Sequence, residues 1–260
     1  MPEIRANGVT LYYEEQGSGD AILGIHGTGS SASFWVDAAP KLASRGRAIV
    51  YDRRGFSRSD RPEPFATNVQ LQAEDAAALL DELVAAPAIV IGRSYGADVA
   101  VQLALRYPDR VRALVLMEGL ESISKAGASW LSGLVEQVLA AAEADVDTVG
   151  ETVLRGVLGD EGWNGLPDEA RQVFAANGPA IAAEVRGGSL EVTAEALGTV
   201  VQPTLLVTGE DSVPVYAEVT SALASAMPSA RVERVAGGHF IDPAHPAVLG
   251  FVDDVLAGRG

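Results

Sequence analysis

The chain has 260 residues, 48% of them hydrophobic, and a formal net charge of −16 from 19 basic and 35 acidic residues. This length and composition suit one large globular domain with room for an insertion. The acidity repels phosphate backbones and anionic lipid, so neither nucleic acid nor a membrane is an expected partner. Because the chain has no cysteine, disulfides, thiolate metal sites and a cysteine nucleophile are excluded. No signal peptide or membrane-spanning run is visible, which predicts a soluble, cytoplasmic protein.

Apolar runs of strand length alternate with helical stretches along the chain. The first run, residues 9–17, alternates in polarity and follows Asn7-Gly8, which predicts antiparallel strands at one edge of a sheet. In the later runs the apolar residues, mostly Val, Ile and Leu, are continuous and do not alternate with polar ones, as in strands that helices cover on both faces. These runs are residues 21–27, 47–55, 88–94, 111–119, 203–211 and 231–239. The pattern predicts an α/β protein with a doubly wound, mostly parallel sheet flanked by helices.

An insertion separates the last two of these runs from the others. About eighty residues without a clear strand lie there, far more than an ordinary crossover needs. Residues 130–146 and 167–185 have helical periodicity, with Pro167 suited to a first turn and Gly187-Gly188 to a stop. We therefore predict a core formed by residues 1–121 and 200–260, and a helical cap over residues 122–199.

The sequence Gly92-Arg93-Ser94-Tyr95-Gly96 joins an apolar run to a helical pattern. A Gly-x-Ser-x-Gly sequence in this context predicts a sharp turn that exposes the serine at the edge of the sheet. The helix behind it presents free amides and a positive dipole end to a negatively charged intermediate. Ser94 is thus the candidate nucleophile.

A second glycine-rich turn follows the first buried run, at residues 26–29. In serine hydrolases such a loop supplies one amide of the oxyanion hole, and the residue after the nucleophile supplies the other. The expected donors are Thr28, or alternatively Gly27, together with Tyr95. His26 is expected to be a structural hydrogen-bonding residue of this loop.

The chain has only two other histidines, His239 and His245. His245 lies at the expected start of the C-terminal helix, on the surface. His239 follows two glycines at the end of an apolar run, so its loop can reach the serine. His239 is therefore the candidate base.

In their order and spacing, these motifs resemble the α/β-hydrolase superfamily over essentially the whole chain. The resemblance rests on residues 26–29, 51–60, 92–96 and 237–240. It implies an eight-stranded α/β-hydrolase sheet with a cap, and a catalytic acid between the serine and the histidine in the chain. In the 51–60 segment, the matching Asp52, Gly55 and Ser57 are expected to shape a loop beside the site.

Two acidic residues meet that order. Asp211 follows the seventh strand, which is the position most often used for the acid in the superfamily. It lies one residue nearer to Gly209 than the usual acid does, and Ser212 occupies the position where the acid is expected. A one-residue offset points a side chain to the opposite side of an extended chain. Glu118 ends the sixth strand, beside the strand of Ser94 in the family's order, where burial would require a partner.

Zearalenone lactonases resemble this chain near its start, before Glu118 and around His239. In that group the catalytic acid is a glutamate at the end of the sixth strand, so the resemblance implies that Glu118 is the acid here. We therefore favour a catalytic triad of Ser94, Glu118 and His239, with Asp211 as the alternative acid. The chain departs from the group in keeping His26-Gly27 and in having Asp211 at all.

The predicted activity is hydrolysis of a small-molecule carboxylic ester or lactone, of the zearalenone type or another, through an acyl-enzyme, with no metal or organic cofactor. The alternatives are a carbon–carbon bond hydrolase or lyase on the same scaffold, and a hydrolase-like ligand receptor. A serine at the turn argues against dehalogenases and epoxide hydrolases, which need aspartate there. The protein is expected to be a monomer or homodimer, and Trp130, Trp163 and Phe174 are candidate pocket residues in the cap.

Overall fold

An eight-stranded sheet forms the centre of the computed structural model, which describes residues 2–259. The strands lie in the order β1-β2-β4-β3-β5-β6-β7-β8. The first two pairs in that order, β1 with β2 and β2 with β4, are antiparallel, and all the others are parallel. Their bounds are β1 Glu3–Ala6, β2 Val9–Gln16, β3 Ala21–Ile25, β4 Arg47–Tyr51, β5 Ala88–Arg93, β6 Val111–Met117, β7 Thr204–Gly209 and β8 Ala230–Val235. The predicted fold class is confirmed.

The edge hairpin follows from its turn residues. Ala6 pairs with Val9, so the loop contains only Asn7 and Gly8. Both have positive φ, 44° and 80°. Asparagine and glycine tolerate this conformation best, and the resulting turn matches the twist of the two strands.

Ten helices surround the sheet or lie above it among the described residues. They are α1 Ala39–Ala43, α2 Val69–Glu82, α3 Tyr95–Arg106, α4 Lys125–Ala144, α5 Val149–Asn164, α6 Asp168–Ala176, α7 Gly178–Gly187, α8 Ala194–Leu197, α9 Val215–Ala226 and α10 Pro246–Leu256. Within residues 2–259, none of these helices has both the length and the apolar character of a bilayer span.

The sheet is buried on both faces, which explains its solid apolar runs. In β6, Leu114 and Leu116 pack with residues of α2, α3 and α9, whereas Val115 and Met117 pack with α1 and α10 on the other face. Side chains alternate between faces along a strand, so each strand contributes to two apolar layers. This double burial holds the carboxyl ends of β5 and β6 in fixed positions.

Helices α4 to α8 occupy the segment between β6 and β7, where the sequence predicts inserted helices. Apolar residues of α4 to α7, including Val138, Leu154 and Ile181, form their own buried cluster. Leu190 and Leu197, near the end of the segment, pack instead with the layer that covers the sheet. The boundaries 122–199 stay a prediction.

The inserted segment contains more helices than the two that the periodicity indicates. Residues 167–185 form two helices, because the pattern is broken at Asn177. Its side chain accepts from the Ser57 amide at 2.8 Å and donates to the Gly29 carbonyl at 2.9 Å. Helix α5, which the sequence analysis did not identify, contains Gly159 with φ 72°. Asn177 thus links the inserted helices by hydrogen bonds to the two core loops that contain Gly29 and Ser57.

Candidate active site

Ser94 lies in a strained turn between β5 and α3. Its φ is 53° and its ψ is −131°, a combination that costs a residue with a side chain about 1–3 kcal/mol. The flanking glycines are required by space: a Cβ on Gly92 would lie 2.3 Å from the Gly96 carbonyl oxygen, and one on Gly96 would lie 2.3 Å from that of Ile25. The turn presents Ser94 half-buried at the carboxyl end of β5.

Glu118 and His239 form a direct pair at the same end of the sheet. Glu118 Oε2 lies 2.7 Å from His239 Nδ1, and both side chains are almost fully buried. The Tyr216 ring stacks on the imidazole with 5.0 Å between centroids and 20° between planes. Two contacts therefore fix the orientation of His239, and the second, from α9, was not identified in the sequence analysis.

Glu118 is itself held by donors from the neighbouring strand. Its Oε1 accepts from Thr208 Oγ1 at 3.0 Å and from the Gly209 amide at 2.7 Å. Burial raises the pKa of the Glu118 carboxyl, but the His239 hydrogen bond and the other donors more than offset this, so the pKa is lowered. An ionised carboxylate can only accept, so His239 Nδ1 carries the hydrogen and Nε2 is free to take a proton.

Asp211 lies outside this arrangement. Its side chain is exposed, and it makes no hydrogen bond or ion pair with any residue from 2 to 259. Its amide donates to the Gly237 carbonyl at 3.0 Å, which ties together the loops after β7 and β8. Of the two candidate acids, the structure brings Glu118 alone to His239.

One cavity is lined by both Ser94 and His239. Its empty volume, which includes open solvent at its mouth, is about 630 Å³. Gly27, Thr28 and Tyr95 also line it. Among the described residues, Ser94 Oγ has no direct hydrogen bond to the imidazole; contacts of this kind often shorten only when substrate binds.

The amides of Thr28 and Tyr95 are available in this cavity. Tyr95 begins α3, so its N–H has no intrahelical acceptor. The Gly27 carbonyl accepts from Arg53 Nη2 at 3.2 Å and from the Ser30 amide at 3.3 Å. Because C=O and N–H of a trans peptide point in opposite directions, the Thr28 N–H points away from Arg53. Both amides are suited to an oxyanion.

A buried ion pair supports this loop from the inserted helices. Arg53 Nη1 lies 2.6 Å from Glu184 Oε2, and both side chains are inaccessible to solvent. Glu184 Oε1 also accepts from the Thr28 hydroxyl at 2.5 Å. Arg53 and Glu184 are 131 residues apart, and neither was predicted from the sequence to have a role in the site. The pair couples the oxyanion loop to α7.

His26 is a neutral structural residue of the same loop. Its Nδ1 lies 2.8 Å from the Gly27 carbonyl, and its Nε2 accepts from the Arg53 amide at 2.9 Å. Burial, followed by the charge of Arg53, lowers the pKa of His26 well below its usual value. His245, by contrast, caps α10 by accepting from the Ala247 amide at 3.2 Å.

The loop over residues 51–60 is organised by Asp52. Its carboxylate accepts from the Ala32 amide at 2.7 Å and from Arg58 Nε at 2.7 Å. Gly55 has φ 85°, and Ser57 has φ 48°. These contacts hold the loop beside the oxyanion segment.

Two further carboxyl groups line the cavity. Asp98 accepts from the amides of Leu120 at 3.1 Å and Leu190 at 3.4 Å. Burial raises the pKa of Asp98, with a further contribution from Glu121, and burial raises the pKa of Glu121 as well. This part of the cavity thus disfavours an added negative charge.

The three aromatic residues predicted to line a pocket lie in different places. Trp130 lines the cavity and packs edge-to-face on Tyr216 at 5.7 Å. Trp163 lies near the end of α5, and the Cζ atoms of Arg155 in the same helix and of Arg171 in α6 are each 6.0 Å from its ring centroid. Phe174 is buried against Phe34 at 5.4 Å, below the loop that contains Gly29. Of the three predicted residues, Trp130 lines this cavity, whereas Trp163 and Phe174 are buried in the apolar cluster of the inserted helices.

The family assignment agrees with this geometry. A sequence model described as the alpha/beta hydrolase fold matches residues 20–242. That match covers most of the chain, and it includes Ser94, Glu118 and His239. The chain belongs to the alpha/beta hydrolase family.

Relatives within this family have diverse printed activities. The chain is 28% identical to a 2-(acetamidomethylene)succinate hydrolase from Mesorhizobium japonicum, over 94% of this chain and 92% of that protein. It is 36% identical to a 2-hydroxymuconate semialdehyde hydrolase from Pseudomonas sp. strain CF600, but over only 44% of this chain and 42% of that one. The chain thus spans less than half the length of the first curated relatives that it matches.

Solved structures resemble the chain over its whole length. Est816, described as an N-acyl homoserine lactone degrading enzyme, is 25% identical with a TM-score of 0.76, covering 100% of both chains. A thermophilic esterase from Thermogutta terrifontis has a TM-score of 0.82 at 21% identity, covering 100% of this chain and 99% of that one; this likeness concerns the fold.

Proposed function

We propose that this protein is a serine hydrolase that cleaves a small carboxylic ester or lactone through an acyl-enzyme. The observation that carries the proposal is the buried Glu118–His239 pair at 2.7 Å, whose imidazole lines the same cavity as Ser94. A fixed imidazole with a free Nε2 is the base that a serine hydroxyl requires. The lactone-degrading Est816 and the esterase among the structural relatives are consistent with this choice.

In the first half of the proposed reaction, Ser94 Oγ attacks the carbonyl carbon of the substrate while His239 Nε2 accepts the hydroxyl proton. The imidazolium is stabilised by Glu118, and the oxyanion accepts hydrogen bonds from the amides of Thr28 and Tyr95. The tetrahedral intermediate then breaks its bond to the leaving oxygen, which takes the proton from His239. An acyl-Ser94 ester and an alcohol result; with a lactone, both remain one molecule.

In the second half, water replaces the alcohol. His239 removes a proton from water as the water oxygen attacks the acyl carbon, and the same two amides bind the new oxyanion. Collapse returns the proton to Ser94 Oγ and releases the carboxylic acid. Glu118 keeps its negative charge throughout, because its lowered pKa and its strand donors favour the ionised form.

Hydrolysis of a carbon–carbon bond is the second candidate. It is favoured by the 36% identity to 2-hydroxymuconate semialdehyde hydrolase. On this scaffold His239 would act as the principal base, with a carbon atom as the leaving group. The two candidates differ in what they predict for simple esters. A carboxylic ester hydrolase would turn them over readily, whereas a carbon–carbon hydrolase would turn them over poorly in comparison with its own substrates.

Turnover of p-nitrophenyl acetate and butyrate, and of unsubstituted γ- and δ-lactones, tests the proposal. We expect Ser94→Ala and His239→Ala to abolish turnover, whereas Ser189→Ala, a change of another serine in the cavity wall, retains it. The proposal would be ruled out if the unchanged protein hydrolysed none of these esters and lactones. It would also be ruled out if the Ser94→Ala variant still hydrolysed them. Thermal stabilisation by these compounds without turnover would instead identify a receptor.

A further inference from the structure

Arg93 is a buried cation that contacts an aromatic ring but has no carboxylate or hydrogen-bonding partner among the described residues. It lies between Gly92 and Ser94, is 5% exposed, and lines the cavity that contains Ser94 and His239. Among the described residues, its side chain makes no ion pair and no hydrogen bond; its Cζ lies 5.0 Å from the Phe240 ring centroid. The other deeply buried arginines are paired, Arg53 with Glu184 and Arg54 with Asp75.

An unpaired buried charge is unfavourable in the free protein. Burial lowers the pKa of Arg93 to about 10, with no contribution from a nearby carboxylate. Arg93 therefore stays protonated near neutral pH and is not neutralised by Asp98 or Glu121, although both also line the cavity. A bound anion would offset this cost of burial.

The guanidinium of Arg93 is suited to one class of ligand. A planar guanidinium complements the two oxygens of a carboxylate, which accept hydrogen bonds and donate none. Asp98 and Glu121, which line the same cavity, disfavour an anion beside them. The Arg93 guanidinium is therefore the place for a negatively charged group of the ligand.

We propose that Arg93 forms a carboxylate-binding subsite, so that the substrate is an ester or lactone bearing a second, ionised carboxylate. Arg93 and Ser94 line the same cavity, so one ligand in it can place a carboxylate against the guanidinium while its ester carbonyl meets Ser94 Oγ. Half-esters of short dicarboxylic acids have this chemistry. The inference rests on the proposed role of Ser94, and Arg93 acts in it as a specificity-determining residue.

Kinetics with matched ester pairs test the subsite. The anionic probes are the monomethyl esters of malonate, succinate and glutarate, and each neutral partner has the free carboxylate replaced by a methyl ketone. We expect the unchanged protein to prefer at least one anionic probe by about tenfold or more in kcat/KM. Arg93→Gln should reduce that preference to about one, and Arg93→Lys should retain part of it. Arg5→Gln, which removes an exposed charge from β1, should leave it unchanged.

Binding to the Ser94→Ala protein separates this inference from the proposed reaction. Calorimetry with monomethyl succinate and its neutral partner should show the same preference without any chemistry, and Arg93→Gln on this background should remove it. If binding discriminates but esters are not turned over, the proposed function is wrong and the subsite stands. If no anionic probe is preferred, or the preference survives Arg93→Gln, the subsite is wrong.

Stability distinguishes a binding role from a structural one. Arg93→Met replaces an unpaired buried cation with an apolar chain of similar length, so its melting temperature should equal or exceed that of the unchanged protein. A clear fall in melting temperature would show that Arg93 supports the fold, and it would overturn the proposal.

Discussion

Glu118 Oε2 and His239 Nδ1 are 2.7 Å apart, although 121 residues separate them in the chain. The contact is possible because β6 and β7 are neighbouring parallel strands, so Glu118, immediately after β6, reaches the loop beyond β8 across the end of β7. Glu118 has φ 45°, a second strained backbone position in the site beside that of Ser94. Such strain is retained where the surrounding structure fixes a side chain.

The first prediction concerns the identity of the acid. Glu118→Gln should lower kcat by about ten-thousandfold. The amide group of the new side chain would donate to Nδ1 and leave the hydrogen on Nε2, which then cannot accept the Ser94 proton. Asp211→Asn should change kcat little, because that side chain is exposed. Steady-state ester hydrolysis measures both variants, and a crippled Asp211→Asn beside an active Glu118→Gln would reverse the assignment.

The second prediction is a pH dependence of stability. The pKa of Glu118 is lower in the folded protein than its ordinary value of 4.5, so the unfolded chain binds the proton more readily. The stabilisation from Glu118 is therefore fully present above about pH 4.5 and is lost as the pH falls through the lowered folded pKa. Urea unfolding should show a free-energy gap between the unchanged protein and Glu118→Gln that shrinks on acidification through this window. A gap that widens on acidification would contradict the stated direction.

The third prediction concerns the glycines of the serine turn. Gly96→Ala would place a Cβ 2.3 Å from the Ile25 carbonyl oxygen, so we expect a loss of about 1–3 kcal/mol or more in the free energy of unfolding. Gly133→Ala is the matched control, since a Cβ at this helical position meets nothing within 4 Å. It should be neutral or stabilising by up to about 1 kcal/mol. Chemical denaturation compares them, and equal effects would refute the steric account.

The fourth prediction concerns the ion pair below the oxyanion loop. Glu184→Gln leaves Arg53 buried without a charged partner, a change that typically costs about 3–5 kcal/mol. It also weakens the support of Thr28, so kcat should fall together with stability. Glu195→Gln, on the exposed side of α8, controls for loss of a negative charge and should affect neither quantity. A Glu184→Gln protein with unchanged stability and turnover would show that the pair is dispensable.

The sequence predicted the features that depend on local chain geometry. The turn at Ser94 follows from glycines at fixed spacing, and the edge hairpin follows from Asn7-Gly8. Burial on both faces produces the solid apolar runs of the parallel strands. Glu118 and Asp211 both follow strands of this sheet, so strand position alone does not choose between them. The choice depends on the direction of each side chain, and in the structure Glu118 is the one that contacts His239.

Other features depend on contacts between distant segments. Apolar periodicity identifies a cap helix but not which face meets the cavity, so Trp130 lies in the cavity wall while Trp163 and Phe174 are packed inside the inserted helices. The Arg53–Glu184 pair joins a core loop to α7 and has no local signal. Arg93 was visible in the serine motif, but its lack of a partner is a property of the folded chain alone.

Mass spectrometry of the protein quenched during turnover of a p-nitrophenyl ester is the most direct test of the central claim. The account predicts an acyl adduct on the peptide that contains Ser94, formed with a burst of p-nitrophenol and absent from Ser94→Ala. Glu118→Gln should form it far more slowly. Turnover without an adduct at Ser94, or with the adduct on another residue, would contradict the proposed acyl transfer.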